Sequence, residues 1–138
     1  MINYDLYLRW YYYLIQNWGI KPNLAQIVAY CQTIMQQNGI EAVTITSGYR
    51  SPKRQRELLN RWISGNRTGL VARPSRRSWH MQGYAIDVST RINPRSFLVF
   101  RNLMLTFRGI RWGGNFNSYD PVHFDLPTGE LKSIDQLA

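Results

Sequence analysis

The chain contains only two histidines, and each lies within a few residues of an aspartate. Asp87 follows His80, whereas His123 stands between Asp120 and Asp125. Two imidazoles and one carboxylate form a three-ligand zinc set of the catalytic kind, in which the fourth position stays open for water or substrate. The two segments therefore suggest a catalytic metal site.

The cysteine content supports this interpretation. A structural zinc site usually has four ligands and is rich in cysteine, but Cys31 is the only cysteine of the chain. A closed zinc site built on cysteines is thus excluded. A metal in this protein would serve chemistry.

The first histidine segment has a spacing that allows its two candidate ligands to meet. Residues 85–88 predict a short strand that carries Asp87, and Gly83 supplies a flexible turn before it. His80, which precedes that turn, can therefore fold back towards Asp87.

The second histidine segment, residues 122–126, alternates between apolar and polar residues and predicts another strand. His123 and Asp125 would share one face of it. A metal-activated water attacks a carbonyl well only if a nearby carboxylate takes its proton, and Asp120 is our candidate for that base. Asp125 is the competing candidate, although its spacing also suits a partner that holds the His123 tautomer.

Both segments resemble the motifs of the zinc-dependent peptidoglycan peptidases of the VanY type, peptidase family M15. Residues 78–87 match S-x-H-x-x-G-x-A-x-D, and residues 120–124 match D-x-x-H-F. Residues 47–55 resemble the S-G-[YF]-R-S-x-x-x-Q segment of that family. Residues 112–116 resemble the W-G-G-D-[WF] stretch of the phage L-alanyl-D-glutamate endopeptidases, the branch to which the chain looks most similar.

The resemblance implies a role for each site residue. His80, Asp87 and His123 would bind Zn²⁺, and Asp120 would be the general base.

Three further residues take their predicted roles from the same motifs. Arg50 would polarise the scissile carbonyl or pair with a substrate carboxylate, since arginine is always charged and binds carboxylates through two parallel hydrogen bonds. Gln55 and Ser78 are assigned to substrate binding.

The implied function is hydrolysis of peptidoglycan stem peptides at the L-alanyl-D-glutamate bond by a phage-type endolysin or lysis protein. One alternative is a D-alanyl-D-alanine carboxypeptidase, in which Arg50 would bind the terminal carboxylate. Another is a non-catalytic module that binds cell wall or nucleic acid. The complete ligand set with Asp120 speaks against this last alternative, because a binding module needs none of the four.

Composition limits the organisation and the partners. With 138 residues, 44% of them hydrophobic, we expect residues 1–138 to form a single catalytic domain, and we expect a monomer. The net charge is +9, and residues 50–77 are strongly basic. Such a charge favours polyanions, and nucleic acid, anionic cell-wall polymers and peptidoglycan stems fit it equally, although part of it is simply a solvated basic face. The resemblance makes peptidoglycan and anionic cell-wall polymers the expected partners and nucleic acid an unexpected one.

The sequence predicts neither a membrane span nor a signal peptide. Apolar runs stay below the roughly 18 residues that a span requires, and residues 4–18 lack a basic start and a cleavage site. We therefore expect synthesis in the cytoplasm, with access to the wall by lysis-linked release or as a virion component.

Periodicity places these motifs in an α+β fold, a small antiparallel sheet with helices packed on one side. The predicted helices are residues 4–17, 22–38, 52–63 and 94–107, and the predicted strands are near 42–47, 84–89, 110–112 and 122–126. Residues 64–79 form a long loop, which we interpret as a rim over the site.

Overall fold

The computed structural model describes residues 1–137, which form five α-helices, two 3₁₀ helices and a four-stranded sheet. The α-helices are α1 (Tyr4–Trp18), α2 (Pro22–Gln37), α3 (Pro52–Ile63), α4 (Pro94–Met104) and α5 (Ile134–Leu137). The strands are β1 (Ile45–Ser47), β2 (Ala85–Val88), β3 (Arg111–Trp112) and β4 (His123–Asp125). The 3₁₀ helices are Trp79–Gln82 and Gly113–Asn115.

The sheet has the order β1-β2-β4-β3, and every neighbouring pair is antiparallel. The predicted α+β class with a small antiparallel sheet is thus confirmed. In the register of the two central strands, Ile86 pairs with Phe124 and Asp87 pairs with His123. Successive side chains of a strand point to opposite faces, so one face of the sheet is apolar while the other carries Asp87 and His123 together.

The main core lies on the apolar face of the sheet. Helices α1, α2 and α4 pack there against Ile86, Val88 and Phe124, and Phe100 of α4 meets the Phe124 ring edge-on. A second, smaller cluster joins α3 and α5 through Leu59 and Ile134. This second cluster also contains Met81, so it holds the 3₁₀ helix that carries His80.

Two predicted elements are each three residues shorter in the structure. The first strand begins at Ile45, because both backbone polar groups of Val43 bond to the side-chain amide of Gln32 rather than to a neighbouring strand. Helix α4 ends at Met104 and not at Phe107. The hydroxyl of Thr106 donates to the carbonyl of Leu103, and such a local bond competes with continuation of the helix.

Residues 64–78 of the predicted rim loop contain no helix, whereas its last residue, Trp79, begins a 3₁₀ helix. The C-terminal segment holds this loop in place. Arg77 forms an isolated antiparallel bridge with Ser133, and the Ile134 amide donates to the carbonyl of Arg76 at 2.7 Å. Arg76 also pairs with Asp135. Helix α5, which the periodicity of the sequence did not predict, therefore anchors the loop that leads to His80.

None of the helices in the described part of the chain combines the length and the hydropathy that a membrane span needs.

Candidate metal centre

The structure brings His80, Asp87 and His123 together on the polar face of the sheet. His80 Nε2 lies 3.1 Å from Asp87 Oδ1 and 3.2 Å from His123 Nδ1. The triangle closes at 3.3 Å between His123 Nδ1 and Asp87 Oδ1. Three donor atoms from separate parts of the chain thus converge on one point.

The size of this triangle fits a tetrahedral zinc ion. Zinc binds imidazole nitrogen and carboxylate oxygen at about 2.0–2.2 Å, so two ligands of a tetrahedral site are about 3.3–3.5 Å apart. The observed edges of 3.1, 3.2 and 3.3 Å are close to one face of that tetrahedron. A zinc held there by three protein ligands would keep its fourth position open.

The outer hydrogen bonds fix which nitrogen of each imidazole faces the centre. His80 Nδ1 lies 2.8 Å from the carbonyl oxygen of Gly48, which can only accept, so Nδ1 carries the proton. His123 Nε2 lies 2.7 Å from Asp125 Oδ2 and donates to it in the same way. The remaining nitrogen of each ring therefore faces Asp87, and the three atoms need a positive charge between them, either a proton or a metal ion.

The protonation equilibria agree with this requirement. Burial raises the pKa of Asp87, but the charges and hydrogen bonds of His80 and His123 outweigh it, so that pKa lies well below its usual range. Burial alone would lower the pKa of His123, but its hydrogen bonds to Asp125 and Asp87 raise it to about 9. The pKa of His80 is lowered, chiefly by burial. The site stabilises one positive charge at its centre.

Local backbone features place His80. Ser78 caps its 3₁₀ helix by accepting from the His80 amide at 3.2 Å, and Gly83 ends that helix in the left-handed region at φ 79°. The carbonyl that accepts the hydrogen bond from His80 Nδ1 belongs to Gly48, where a side chain would collide with the backbone of Trp18. The chain thus needs glycine at residue 48 to bring this carbonyl close to the end of α1.

Arg50 lies beside the centre, but its guanidinium contacts protein groups. Its Nη2 donates to Asp87 Oδ2 at 2.8 Å, its Nε to the Ser47 hydroxyl at 2.9 Å and its Nη1 to Gln55 Oε1 at 3.3 Å. Arg50 therefore orients the carboxylate of a candidate ligand. In this arrangement its guanidinium is engaged before any substrate arrives.

Gln55 and Ser78, which the sequence assigned to substrate binding, also serve the scaffold. Gln55 is only 1% exposed, and its amide nitrogen donates to the Ser75 carbonyl at 2.8 Å while its oxygen accepts from Arg50. It links α3, the site and the rim loop. Ser78 caps the helix of His80 and also borders the cavity into which the centre opens, called the main cavity below.

Asp120 faces the same cavity from the loop before β4. The Trp-Gly-Gly segment positions this loop: the Asp120 amide donates to Gly113 O at 2.9 Å, and Trp112 Nε1 donates to Pro121 O at 2.8 Å. A side chain at residue 113 would collide with the Asp120 carbonyl. Burial and the nearby charge of Asp87 raise the pKa of Asp120, as a proton-transfer group requires.

Asp125, the competing candidate for the general base, is already bound to His123 and Arg111. It is 1% exposed, accepts from His123 Nε2, and forms two parallel hydrogen bonds with Arg111 at 2.8 and 2.9 Å. Burial raises its pKa, but the His123 and Arg111 bonds outweigh this and lower it. Asp125 therefore matches the predicted partner that holds the His123 tautomer.

Arg111 and Phe116 are site residues that the sequence analysis missed. The guanidinium of Arg111 lies 4.9 Å from the ring centre of Phe116, and that ring packs against His123 with 5.9 Å between centres. Arg111 reaches the site because β3 pairs with β4 and sets Arg111 opposite Asp125, a register that the sequence does not show. The Trp-Gly-Gly-x-Phe motif marked Phe116 but gave it no role.

The centre opens into the main cavity, of about 1020 Å³. His80, Asp87, Asp120 and His123 line it together with the rim loop. Its walls also carry four more arginines besides Arg50, namely Arg73, Arg77, Arg91 and Arg111. The cavity thus combines three candidate metal ligands, the carboxylate of Asp120 and several arginines.

Two solved structures share this fold. The L-Ala D-Glu endopeptidase ChiX of Serratia marcescens superimposes with a TM-score of 0.50, at 21% identity over 79% of this chain and 81% of that one. A vancomycin resistance D,D-pentapeptidase VanY from a VanB-type cassette, solved as an E175A mutant in complex with Zn(II), gives a TM-score of 0.56 at 16% identity, covering 78% and 72%. No curated protein sequence is significantly similar to the chain.

The family model described as VanY, D-alanyl-D-alanine carboxypeptidase, matches residues 18–112. That segment contains Arg50, His80 and Asp87, whereas Asp120 and His123 lie beyond it. The fold completes the site by pairing β4 with β2. With more than half of its length matched, the chain belongs to the VanY family of peptidoglycan peptidases, as its motifs predicted.

Proposed function

We propose that this chain is a zinc peptidase that hydrolyses the L-alanyl-D-glutamate bond of peptidoglycan stem peptides. The observation that carries the proposal is the closed triangle of His80, Asp87 and His123, with edges of 3.1–3.3 Å, beside the carboxylate of Asp120. These three residues would hold the zinc. When bound, zinc supplies an activated water and polarises the scissile carbonyl.

The residues of the chain would divide the remaining work. Asp120 would accept a proton on its carboxylate and return it to the leaving amine, and its raised pKa suits both steps. Asp125 and the Gly48 carbonyl keep the two imidazoles in the tautomers that bind metal. Arg50 would hold the outer oxygen of Asp87, and through it the position of the centre.

Two observations support the choice of an internal peptide bond. The endopeptidase ChiX has the same fold, and in this chain the main cavity and a second cavity both border Arg50 and Asp87. An endopeptidase needs room for substrate on both sides of the bond. A D-alanyl-D-alanine carboxypeptidase is the second candidate, because the matching family model carries that description.

The place of action follows from the substrate. We propose that the protein is made in the cytoplasm and meets the wall after lysis-linked release or as part of a virion. Its net charge of +9 would favour contact with peptidoglycan and other anionic wall polymers.

Replacement of any one of His80, Asp87 and His123 by alanine should leave the purified protein with little zinc, because the two remaining ligands bind the ion too weakly to retain it. Elemental analysis, with circular dichroism to verify folding, measures this. Asp5→Ala, which removes a carboxylate from α1, is the control and should keep the wild-type content. Near-full zinc in the His80 or His123 variant would refute the assignment.

Asp125→Asn should weaken zinc binding by about 10- to 100-fold, since the outer partner of a metal-binding histidine typically contributes that much. The amide can donate to His123 Nε2, which would move the ring proton to Nδ1, the atom that faces the centre. Competition with a fluorescent chelator gives the affinity. An unchanged affinity would mean that Asp125 does not control the tautomer.

Asp120→Asn should keep its zinc but lose about 10²- to 10⁴-fold in kcat, the usual contribution of general acid–base catalysis. Turnover of a synthetic stem peptide is measured beside zinc content, with Asp5→Asn as the matched control. Near wild-type turnover, combined with an inactive but zinc-loaded Asp125→Asn protein, would transfer the role of base to Asp125.

Mass spectrometry of digested peptidoglycan identifies the bond. We expect new amino termini at D-glutamate, because the proposed cleavage separates it from L-alanine. Released D-alanine with an intact L-alanyl bond would instead show the carboxypeptidase. An absence of any new terminus, with zinc present, would favour a wall-binding module.

A further inference from the structure

The second cavity, of about 710 Å³, lies on the α3 side of the Arg50–Asp87 ion pair. Arg54, Leu58 and Arg61 of α3 line it. These positions are spaced i, i+4 and i+7, so they share one face of the helix. The same ion pair borders the main cavity, so a substrate at the metal centre could extend into this second space.

The charged groups of the second cavity are mostly cationic. Its one carboxylate, Asp87, is already engaged by Arg50, His80 and His123. Arg54 has a nearby partner in Glu57, but their 3.6 Å separation and their half-exposed side chains make this a weak pair. The cavity therefore carries positive charge that protein groups do not neutralise.

The arginines of α3 have more free donors for an anionic substrate group than Arg50 has. Three of the five N–H groups of Arg50 already donate to Asp87, Ser47 and Gln55. Arg54 has only the weak ion pair with Glu57, and Arg61 donates through Nη2 to the carbonyl of Thr68 and keeps its other donors. The arginines of α3 are therefore the main candidate partners.

We propose that the second cavity is a subsite for the free α-carboxylate of the D-glutamyl residue of the stem peptide, bound by Arg54 and Arg61. This inference rests on the proposed function, since it places that residue next to the bond cut at the metal centre. A bidentate arginine–carboxylate contact supplies both the affinity and the orientation.

The test compares two synthetic peptides, L-alanyl-γ-D-glutamyl-L-lysine and the same peptide with the glutamyl α-carboxylate replaced by a carboxamide. The zinc-loaded wild-type protein should cleave the carboxylate peptide with the lower KM. In the double variant R54Q/R61Q, KM for the carboxylate peptide should rise about 10- to 100-fold, as expected for the loss of hydrogen bonds to a charged group. Its kcat and the kinetics of the carboxamide peptide should change little.

Arg56→Gln is the matched control, because it removes a charge from the same helix at a position that borders neither cavity. It should preserve the preference for the carboxylate. If this control weakens the preference as much as R54Q/R61Q does, the preference depends on the overall positive charge of α3, and the subsite is refuted. Equal cleavage of both peptides by the wild type also refutes the subsite while it leaves the proposed function intact.

A binding measurement tests the subsite even if the proposed bond is not the one that is cut. The dipeptide γ-D-glutamyl-L-lysine and its carboxamide form contain no L-alanyl bond, and calorimetry of each with the zinc-loaded protein is independent of turnover. Tighter binding of the carboxylate form, lost in R54Q/R61Q, would support the subsite even if another bond proved to be cut. Equal binding of the two dipeptides would overturn it.

Discussion

The structure is organised around one electrostatic constraint, three metal-binding atoms that converge on one point and need a positive charge between them. His80 Nε2, His123 Nδ1 and Asp87 Oδ1 are mutually 3.1–3.3 Å apart. Such an arrangement is unfavourable unless a positive charge occupies the centre. The outward hydrogen bonds to the Gly48 carbonyl and to Asp125 make it persist, because they hold the ring protons on the far side of each imidazole. Metal affinity is thus a property of the surrounding scaffold as much as of the ligands.

The scaffold meets this constraint by connecting distant parts of the chain. The end of α1 packs against Gly48, so the first helix sets the carbonyl that orients His80. Gln55 joins Arg50 to the rim loop, and the C-terminal segment in turn anchors that loop. Arg111 extends from β3 to hold Asp125. Elements that contribute no ligand therefore determine the geometry of the ligands.

Sequence reasoning succeeded where the chemistry is local. The short strand predicted at residues 85–88 does carry Asp87, alternation in residues 122–126 correctly placed His123 and Asp125 on one face, and Gly83 does form the turn after His80. It failed where a long-range contact decides. The strand register that pairs Arg111 with Asp125, and the amide of Gln32 that replaces a strand partner for Val43, leave no periodic signal. Helix α5 has only four residues, too few for helical periodicity to show.

The structure also gives Arg50 a role that its motif did not predict. Arg50 stands in a segment that resembles a motif of the family and was predicted to act on the substrate, yet three of its five N–H groups donate to protein groups. A guanidinium bound to Asp87 lowers the electron density that this carboxylate offers to a metal, and it also fixes the direction of the oxygen that binds. Recognition of the substrate would then depend on the walls of the two cavities as well as on Arg50. The fold is shared by an endopeptidase and a D,D-pentapeptidase, so it is the residues around the centre, and not the fold, that must decide which bond is cut.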